Sequence, residues 1–172
     1  HGFGGAFTDA AGYVYSLMGE KDRADFMRTY FDPGEMGYTW GRTSIDSCDF
    51  SLEPYEAAPD GRMECFSMER PLRYILPMLE AIRARRPDVA LMLSPWSPPA
   101  GMKTNGKRRG GGEGLPERYQ DWAEYICRYI CEFRERGFAV RYLSVQNEPH
   151  AAQTWDSCLF TAEQERDFLV GA

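Results

Sequence analysis

The 172-residue sequence lacks the patterns that identify several common classes of protein. It has only two histidines, and its five cysteines include no CxxC pair, so the usual ligand spacing of a zinc site is missing. It contains no GxxxxGK[ST] loop and no GxGxxG stretch with the dinucleotide spacing. We therefore predict a protein that uses no metal and no other cofactor.

The charge and hydropathy of the chain argue against further classes. A net charge of −6 and a pI of about 5.0 disfavour nucleic acid and anionic membranes as partners. No apolar run reaches the roughly 20 residues that span a bilayer, and no signal-like segment opens the chain. With 43% hydrophobic and 14% aromatic residues, we expect a soluble globular domain, with cytoplasmic and secreted locations both open.

Strand-like and helix-like patterns alternate along the chain. The predicted strands are residues 3–7, 37–45, 89–93 and 140–146. The predicted helices are residues 10–30 with a break near Gly19, 71–86, 115–136 with Gly137 as its C-cap, and a last helix after the capping box of Thr161 and Gln164. This order is typical of a parallel sheet. The four units could form a small doubly wound domain or half of an eight-unit barrel, which takes about 250 residues.

Some residues outside the strands receive structural interpretations. Asp9 is interpreted as a helix N-cap and Lys103 as a solvated loop charge. Cys127 and Cys131, four positions apart on a helix, are interpreted as core packing. The low-complexity stretch 107–112 is predicted to be a mobile loop. The helix over 71–86 is predicted to bury one apolar face made of Leu72, Ile75, Leu76, Leu79 and Ile82.

Polar and aromatic residues follow each predicted strand at its C-terminal end, which is where active sites lie in parallel α/β folds. Aromatic rings can stack on a sugar, and carboxylates and amides can hydrogen-bond its hydroxyls. Glu148, held between an amide and a proline after the fourth strand, could protonate a leaving oxygen. The residues whose types suit a carbohydrate site are Asp9, Asp49, Phe50, Trp96, Asn147 and Glu148, and Arg42 lies near them at the second strand.

The same residues also allow structural interpretations. Glu148 could be a carboxylate paired with an arginine, and Trp96 could belong to the core, although the prolines around Trp96 favour an irregular loop and therefore a ligand. Arg42 and Asp49 could form a plain salt bridge, and the residues alone favour neither interpretation.

Six motifs occur in an order that resembles glycoside hydrolase family 30, whose best-known member is a glucosylceramidase. Asn-Glu-Pro alone belongs to a wider clan of barrel glycosidases, whereas the whole set is specific. The motifs lie at residues 2–11, 37–42, 47–51, 94–96, 102–106 and 146–149.

The resemblance implies a (β/α)8 TIM barrel and a retaining β-glycosidase acting on a β-linked glucoside. It implies that Glu148 is the general acid/base, that Asn147 binds the sugar 2-hydroxyl, that Asp49 and Trp96 line the glycone subsite, and that Arg42 supports the nucleophile. Phe50 joins the substrate-binding residues as an aromatic wall.

The nucleophile of the family is a Glu at the end of strand seven, and no such strand occurs in this sequence. Retaining chemistry needs two carboxyl groups about 5–5.5 Å apart. We therefore expect residues 1–172 to be the N-terminal half of the catalytic domain, with about four β/α units, inactive without the C-terminal half. Gly101 and the loop over 107–114 depart from the family pattern where the leaving group would bind, so the resemblance does not identify the aglycone. Alternatives are a non-catalytic sugar-binding half-barrel, or a β-1,6-glucanase or β-xylosidase of the same family.

Overall fold

In the computed structural model, which describes residues 2–171, four parallel strands form one sheet in the order β1-β2-β3-β4. The strands are β1 (Gly4–Ala6), β2 (Trp40–Ile45), β3 (Ala90–Pro95) and β4 (Ala139–Leu143). Each is shorter than, or shifted by one or two residues from, the strand predicted from the sequence. The parallel α/β architecture is confirmed, and all four carboxyl ends reach one rim of the sheet.

Helices separate the strands. They are α1 (Asp9–Leu17), α2 (Glu20–Phe31), α3 (Glu69–Arg73), α4 (Ile75–Arg85), α5 (Tyr119–Glu135) and α6 (Ala162–Gly171). The break near Gly19 is confirmed, because α1 ends before Met18 and α2 begins after Gly19. Within the described residues, no helix is both long and apolar enough to cross a membrane.

Two helix ends follow from local chemistry. Gly137 has a φ of 81°, and its amide donates to the Arg134 carbonyl while the Phe138 amide donates to the Phe133 carbonyl. This left-handed turn ends α5 in the predicted way. The capping box before α6 is also confirmed, since Thr161 and Gln164 exchange hydrogen bonds of 2.7 and 3.2 Å.

On the predicted face of the helix over 71–86, Ile75, Leu76, Leu79 and Ile82 are buried. The predictions for Leu72 and for the two cysteines of α5 are wrong. The helix over 71–86 is broken at Tyr74, whose φ and ψ are −136° and −45°, so Leu72 lies before the bend and is 46% exposed. Cys127 and Cys131 are exposed. They lie two positions after Tyr125 and Tyr129, about 200° around the helix from the face that α5 buries.

The core lies between the sheet and its helices. The buried side chains of α2, α4 and α5 pack with β2 and β3 in one apolar cluster, whose members include Phe31, Ile75, Leu79, Trp122, Tyr125, Tyr129 and Phe133. This packing fixes the strand ends and therefore the loops at the rim.

Strand β4 ends earlier than predicted but stays attached to β3. After Leu143, the Ser144 amide donates to the Leu93 carbonyl and the Asn147 amide donates to the Pro95 carbonyl, each at 2.9 Å. These irregular bonds carry the chain along β3 as far as Asn147. They place Asn147 beside Pro95 and Trp96 at the rim.

Candidate active site

Arg42 lies at the centre of the candidate site. Its Nη2 donates to Ser94 Oγ at 2.6 Å and to Asn147 Oδ1 at 2.8 Å. Its guanidinium lies over the Trp96 ring, 4.4 Å from the centroid, which is a cation–π geometry. Side chains from β2, β3 and the segment after β4 therefore meet at one guanidinium.

Burial lowers the pKa of Arg42, and the negative charges of Glu148 and Asp49 partly offset this effect. An arginine remains protonated under these conditions. Its Nε is buried without a hydrogen-bond partner among the described residues. Arg42 thus has a buried donor still available on a charged group that already orients two neighbours.

The hydrogen bond from Arg42 fixes the orientation of the Asn147 amide. Because Oδ1 accepts from a guanidinium, which can only donate, the amide nitrogen must point the other way. Gln146 holds the same segment from the other side, since its Nε2 donates to the Trp96 and Asn147 carbonyls at 2.8 Å each. Asn147 therefore presents a donor in a fixed direction.

Glu148 follows directly and lies exposed at the rim. Its φ of 46° falls in the left-handed region, which is rare for a residue other than glycine and costs about 1–3 kcal/mol. Its carbonyl accepts from the Ala151 amide at 2.9 Å, and its carboxylate accepts from Gln153 Nε2 at 3.4 Å. No arginine pairs with Glu148 in residues 2–171, so the interpretation as a paired structural carboxylate is not supported.

Trp96, by contrast, is 9% exposed and lies beneath the Arg42 guanidinium. Asp49 and Phe50 lie further out on the loop after β2, and both are exposed. No ion pair joins Arg42 to Asp49 in the part of the chain described, so a plain salt bridge between them does not form. The structure thus brings Arg42, Trp96 and Asn147 into contact, with Glu148 next in the chain and Asp49 near enough for its charge to act on Arg42. Phe50 follows Asp49 on the same loop.

Asp9 anchors the loop that carries Asp49. It does not cap α1, because the cap is Thr8, whose hydroxyl accepts from the Ala11 amide at 3.1 Å. Asp9 is instead buried, and its carboxylate accepts from the Leu52 amide at 3.1 Å and from Arg70 at 3.3 Å. The N-cap prediction is wrong because the cap lies one residue earlier, which leaves Asp9 free to bind the neighbouring loop.

A buried ionic network supports the same rim. Arg108 Nη1 lies 3.2 Å from the Asp46 carboxylate, and its Nη2 lies 3.0 Å from the Asp156 carboxylate. Arg108 also donates to the Ser97 carbonyl at 3.1 Å and to the Ser47 carbonyl at 3.3 Å. One side chain thus connects the ends of β2 and β3 with the loop that follows Glu148.

Two of the three charged groups in this network, Asp46 and Arg108, have shifted pKa values. Burial raises the pKa of Asp46 to about 6, although Arg108 and the hydroxyl of Tyr125, which donates to Asp46 at 2.6 Å, act in the opposite direction. The pKa of Arg108 is raised, because Asp46 and Asp156 together outweigh its burial. The net charge of Arg108, Asp46 and Asp156 therefore changes from negative to neutral when Asp46 is protonated, while Arg108 stays charged.

The same network holds the stretch 107–112, which was predicted to be mobile. Arg108, within it, is 9% exposed, and the Gly110 amide donates to the Gln153 carbonyl at 2.8 Å. Lys103 is buried rather than solvated, as its Nζ donates to the Arg108 and Ser157 carbonyls at 3.1 and 2.5 Å. That burial lowers the pKa of Lys103 to about 8.

Sequence reasoning assigned no role to four residues that build the site. Ser94 and Asp46 stand at strand ends, as the predicted site residues do, so their position was a usable signal. Arg108 and Asp156 lie in loops with no periodic pattern, and nothing local distinguishes them from solvated charges. In residues 2–171, no three His, Cys, Asp or Glu side chains are grouped so as to hold a metal ion.

Comparisons with known proteins agree with this geometry. SrfJ from Salmonella typhimurium superimposes with a TM-score of 0.95 and 45% identity, over 98% of this chain and 39% of that one. The endo-β1,6-glucanase BT3312 gives a TM-score of 0.93 and 32% identity, over 99% and 40%. "Putative glucosylceramidase 3" of Caenorhabditis elegans is 34% identical over 98% of this chain and 34% of its own length.

The chain therefore spans only about a third to two fifths of the proteins that it matches. A family model described as the TIM-barrel domain of glycosyl hydrolase family 30 matches residues 1–171. The four parallel strands with their helices are thus part of a (β/α)8 barrel, and the chain belongs to glycosyl hydrolase family 30.

Proposed function

We propose that the protein containing this chain is a retaining β-glycosidase that hydrolyses a β-linked glucoside, with Glu148 as general acid/base. The observation that carries the proposal is that Trp96 and Asn147 both contact the Arg42 guanidinium. Glu148 is the next residue after Asn147. Family membership supports glycosidase chemistry on a carbohydrate, and relatives include a putative glucosylceramidase and an endo-β1,6-glucanase.

In this proposal, the Asn147 nitrogen donates to the sugar 2-hydroxyl. Because Oδ1 accepts from Arg42, the amide nitrogen already points away from the guanidinium, so the Asn147 side chain need not reorient when the substrate binds. Asp49 and Trp96 line the glycone subsite, with Phe50 as an outer wall. Glu148 first gives its proton to the leaving oxygen and then takes one from water.

Arg42 is also proposed to hold the nucleophile. Its unpartnered buried Nε is a donor suited to a carboxylate supplied from outside residues 2–171, and a charged donor fixes such a group strongly. Retention requires the two carboxyl groups to lie about 5–5.5 Å apart. We therefore propose that this chain needs the rest of the barrel for activity.

The test uses the full-length protein with Glu148→Gln and, as a matched control, Glu124→Gln on the solvent side of α5. With a poor leaving group, Glu148→Gln should lower kcat about 10²–10⁴-fold, while Glu124→Gln should not change it. With an activated aryl β-glucoside, added azide should restore turnover of Glu148→Gln, because azide needs no base. Equal activity of the two variants on the poor leaving group would refute the assignment.

Retention and the alternative of a non-catalytic sugar-binding protein are tested on the unmodified full-length protein. The first product seen by NMR should be the β-anomer. Binding of glucose oligomers without any turnover would instead support the sugar-binding alternative.

A further inference from the structure

A pocket of about 320 Å³ opens at the rim beside the candidate site. The loop after β2 forms one wall and contributes Asp49 and Glu53. Arg109 and the segment Thr154–Asp156 form the other wall. Asp49 is also a proposed glycone contact, and Thr154 lies six residues after Glu148, so the pocket adjoins the predicted glycone subsite. Its volume lies within the range of about 300–1,000 Å³ typical of small-molecule sites.

The side chains that line this pocket suit a hydroxylated ring. Trp155 is 37% exposed. Three polar groups of the pocket make no side-chain hydrogen bond or ion pair within residues 2–171: the Trp155 indole N–H, the Asp49 carboxylate and the Arg109 guanidinium. Glu53 is held in place by Arg70 at 2.8 Å. An aromatic face surrounded by available donors and acceptors matches a sugar, which is apolar on its faces and polar at its edges.

The wall that carries Trp155 and Arg109 is held by the buried network. Asp156, next to Trp155, accepts from Ser47 at 2.5 Å and from Arg108 at 3.0 Å. Arg109 follows Arg108, and its backbone pairs with that of Asp156. One buried anchor therefore sets the distance between the aromatic face and the arginine, so the pocket is formed before a ligand enters.

We propose that this pocket binds a second sugar unit, with Trp155 stacking on its ring and Arg109 donating to its hydroxyls. The inference rests on the proposed function and adds the class of leaving group, since it makes the substrate a β-linked glucose oligosaccharide rather than a glucolipid. A lipid chain would leave the Arg109 guanidinium and the Trp155 indole N–H without partners against hydrocarbon, which is unfavourable.

The experiment measures kcat/KM of the full-length protein on two substrates. A β-1,6-linked glucose disaccharide fills the pocket, whereas β-glucosyl fluoride has a single atom as its leaving group and cannot reach it. Trp155→Ala should lower kcat/KM for the disaccharide about tenfold or more and leave the fluoride within about threefold. Trp155→Phe should retain most disaccharide activity, and Arg109→Ala should behave like Trp155→Ala, with Arg141→Ala on β4 as the matched control.

The outcomes separate this inference from the proposed function. If the unmodified protein does not hydrolyse the fluoride, the proposed function fails. If it does, but Trp155→Ala changes both substrates equally or neither, the second-sugar pocket is refuted. A selective loss on a glucosylated lipid, with the disaccharide unaffected, would also refute it, because the pocket would then bind lipid.

Discussion

Replacing Arg108 by methionine should destabilise the protein strongly at neutral pH. The change removes the cation that lies 3.2 Å from Asp46 and 3.0 Å from Asp156, carboxylates that are 0% and 5% exposed. Breaking a buried pair by removing one partner costs about 3–5 kcal/mol, because the other charge stays buried without compensation. Hydrogen bonds to the Ser47 and Ser97 carbonyls are lost at the same time.

The size of this loss should depend on pH. Asp46, whose pKa is raised to about 6, is mainly ionised at pH 7 and mainly protonated at pH 5. At pH 5 Arg108 therefore interacts with one carboxylate instead of two. The free energy difference between Arg108→Met and the unmodified protein should narrow as the pH falls, by at most about 1.4 kcal/mol per pH unit.

The assay is urea unfolding of the full-length protein, with the shift in midpoint multiplied by the measured m-value. Arg109→Met is the matched control, because this neighbouring arginine has no ion-pair partner in residues 2–171, and it should change stability by less than about 0.5 kcal/mol. Adding Asp46→Asn and Asp156→Asn to Arg108→Met should recover much of the loss. A loss below about 1 kcal/mol for Arg108→Met, or no recovery in the triple variant, would refute the reasoning.

Three further predictions use other parts of the chain. The pKa of Asp46 is about 6 against an ordinary 3.8, so its contribution to stability is full below pH 3.8 and is lost as the pH rises through 6, by about 3 kcal/mol in total. Asp46→Asn should abolish this pH dependence in unfolding midpoints measured from pH 4 to 7, and an unchanged dependence would contradict the assignment. Gly12→Ala would place a Cβ 2.5 Å from the Tyr74 carbonyl oxygen and should cost about 1–3 kcal/mol in thermal or urea unfolding, whereas Gly34→Ala, with nothing within 4 Å, should cost almost nothing; equal effects would contradict the packing. Arg42→Lys keeps the charge but loses the planar fork, so kcat should fall about 10²-fold with an unchanged circular dichroism spectrum, and wild-type kcat would contradict the role proposed for Arg42.

The parts of the site that lie at strand ends were predictable from the sequence. Trp96 and Asn147 follow β3 and β4, and Arg42 lies in the C-terminal part of the predicted strand 37–45; parallel strands place such residues towards one rim. Their mutual contacts follow once the strands pair in register. The motif set, rather than the periodicity, decided between a doubly wound sheet and a barrel.

The parts that depend on distant contacts were not predictable. Lys103 and Arg108 read as loop charges, because nothing within a few residues shows that carbonyls and carboxylates about 50 to 60 positions away will enclose them. The exposure of Leu72 depends on a bend at Tyr74, which the apolar spacing did not reveal although Pro77 lacks the amide that would donate to the Arg73 carbonyl one turn earlier. Cys127 and Cys131 share one helix face, but only the packed structure shows that this face points outward.

The strand order has a consequence for synthesis on the ribosome. Because every strand pairs with its neighbour in sequence, each unit that leaves the exit tunnel can add to an edge already present. Each pairing closes the chain of only one helical unit, and synthesis supplies only about 5–20 residues per second, so each unit has seconds to pair before the next strand emerges. We expect the rim that carries Glu148 to be assembled in the direction of translation, with Arg42 in place before Asn147 arrives.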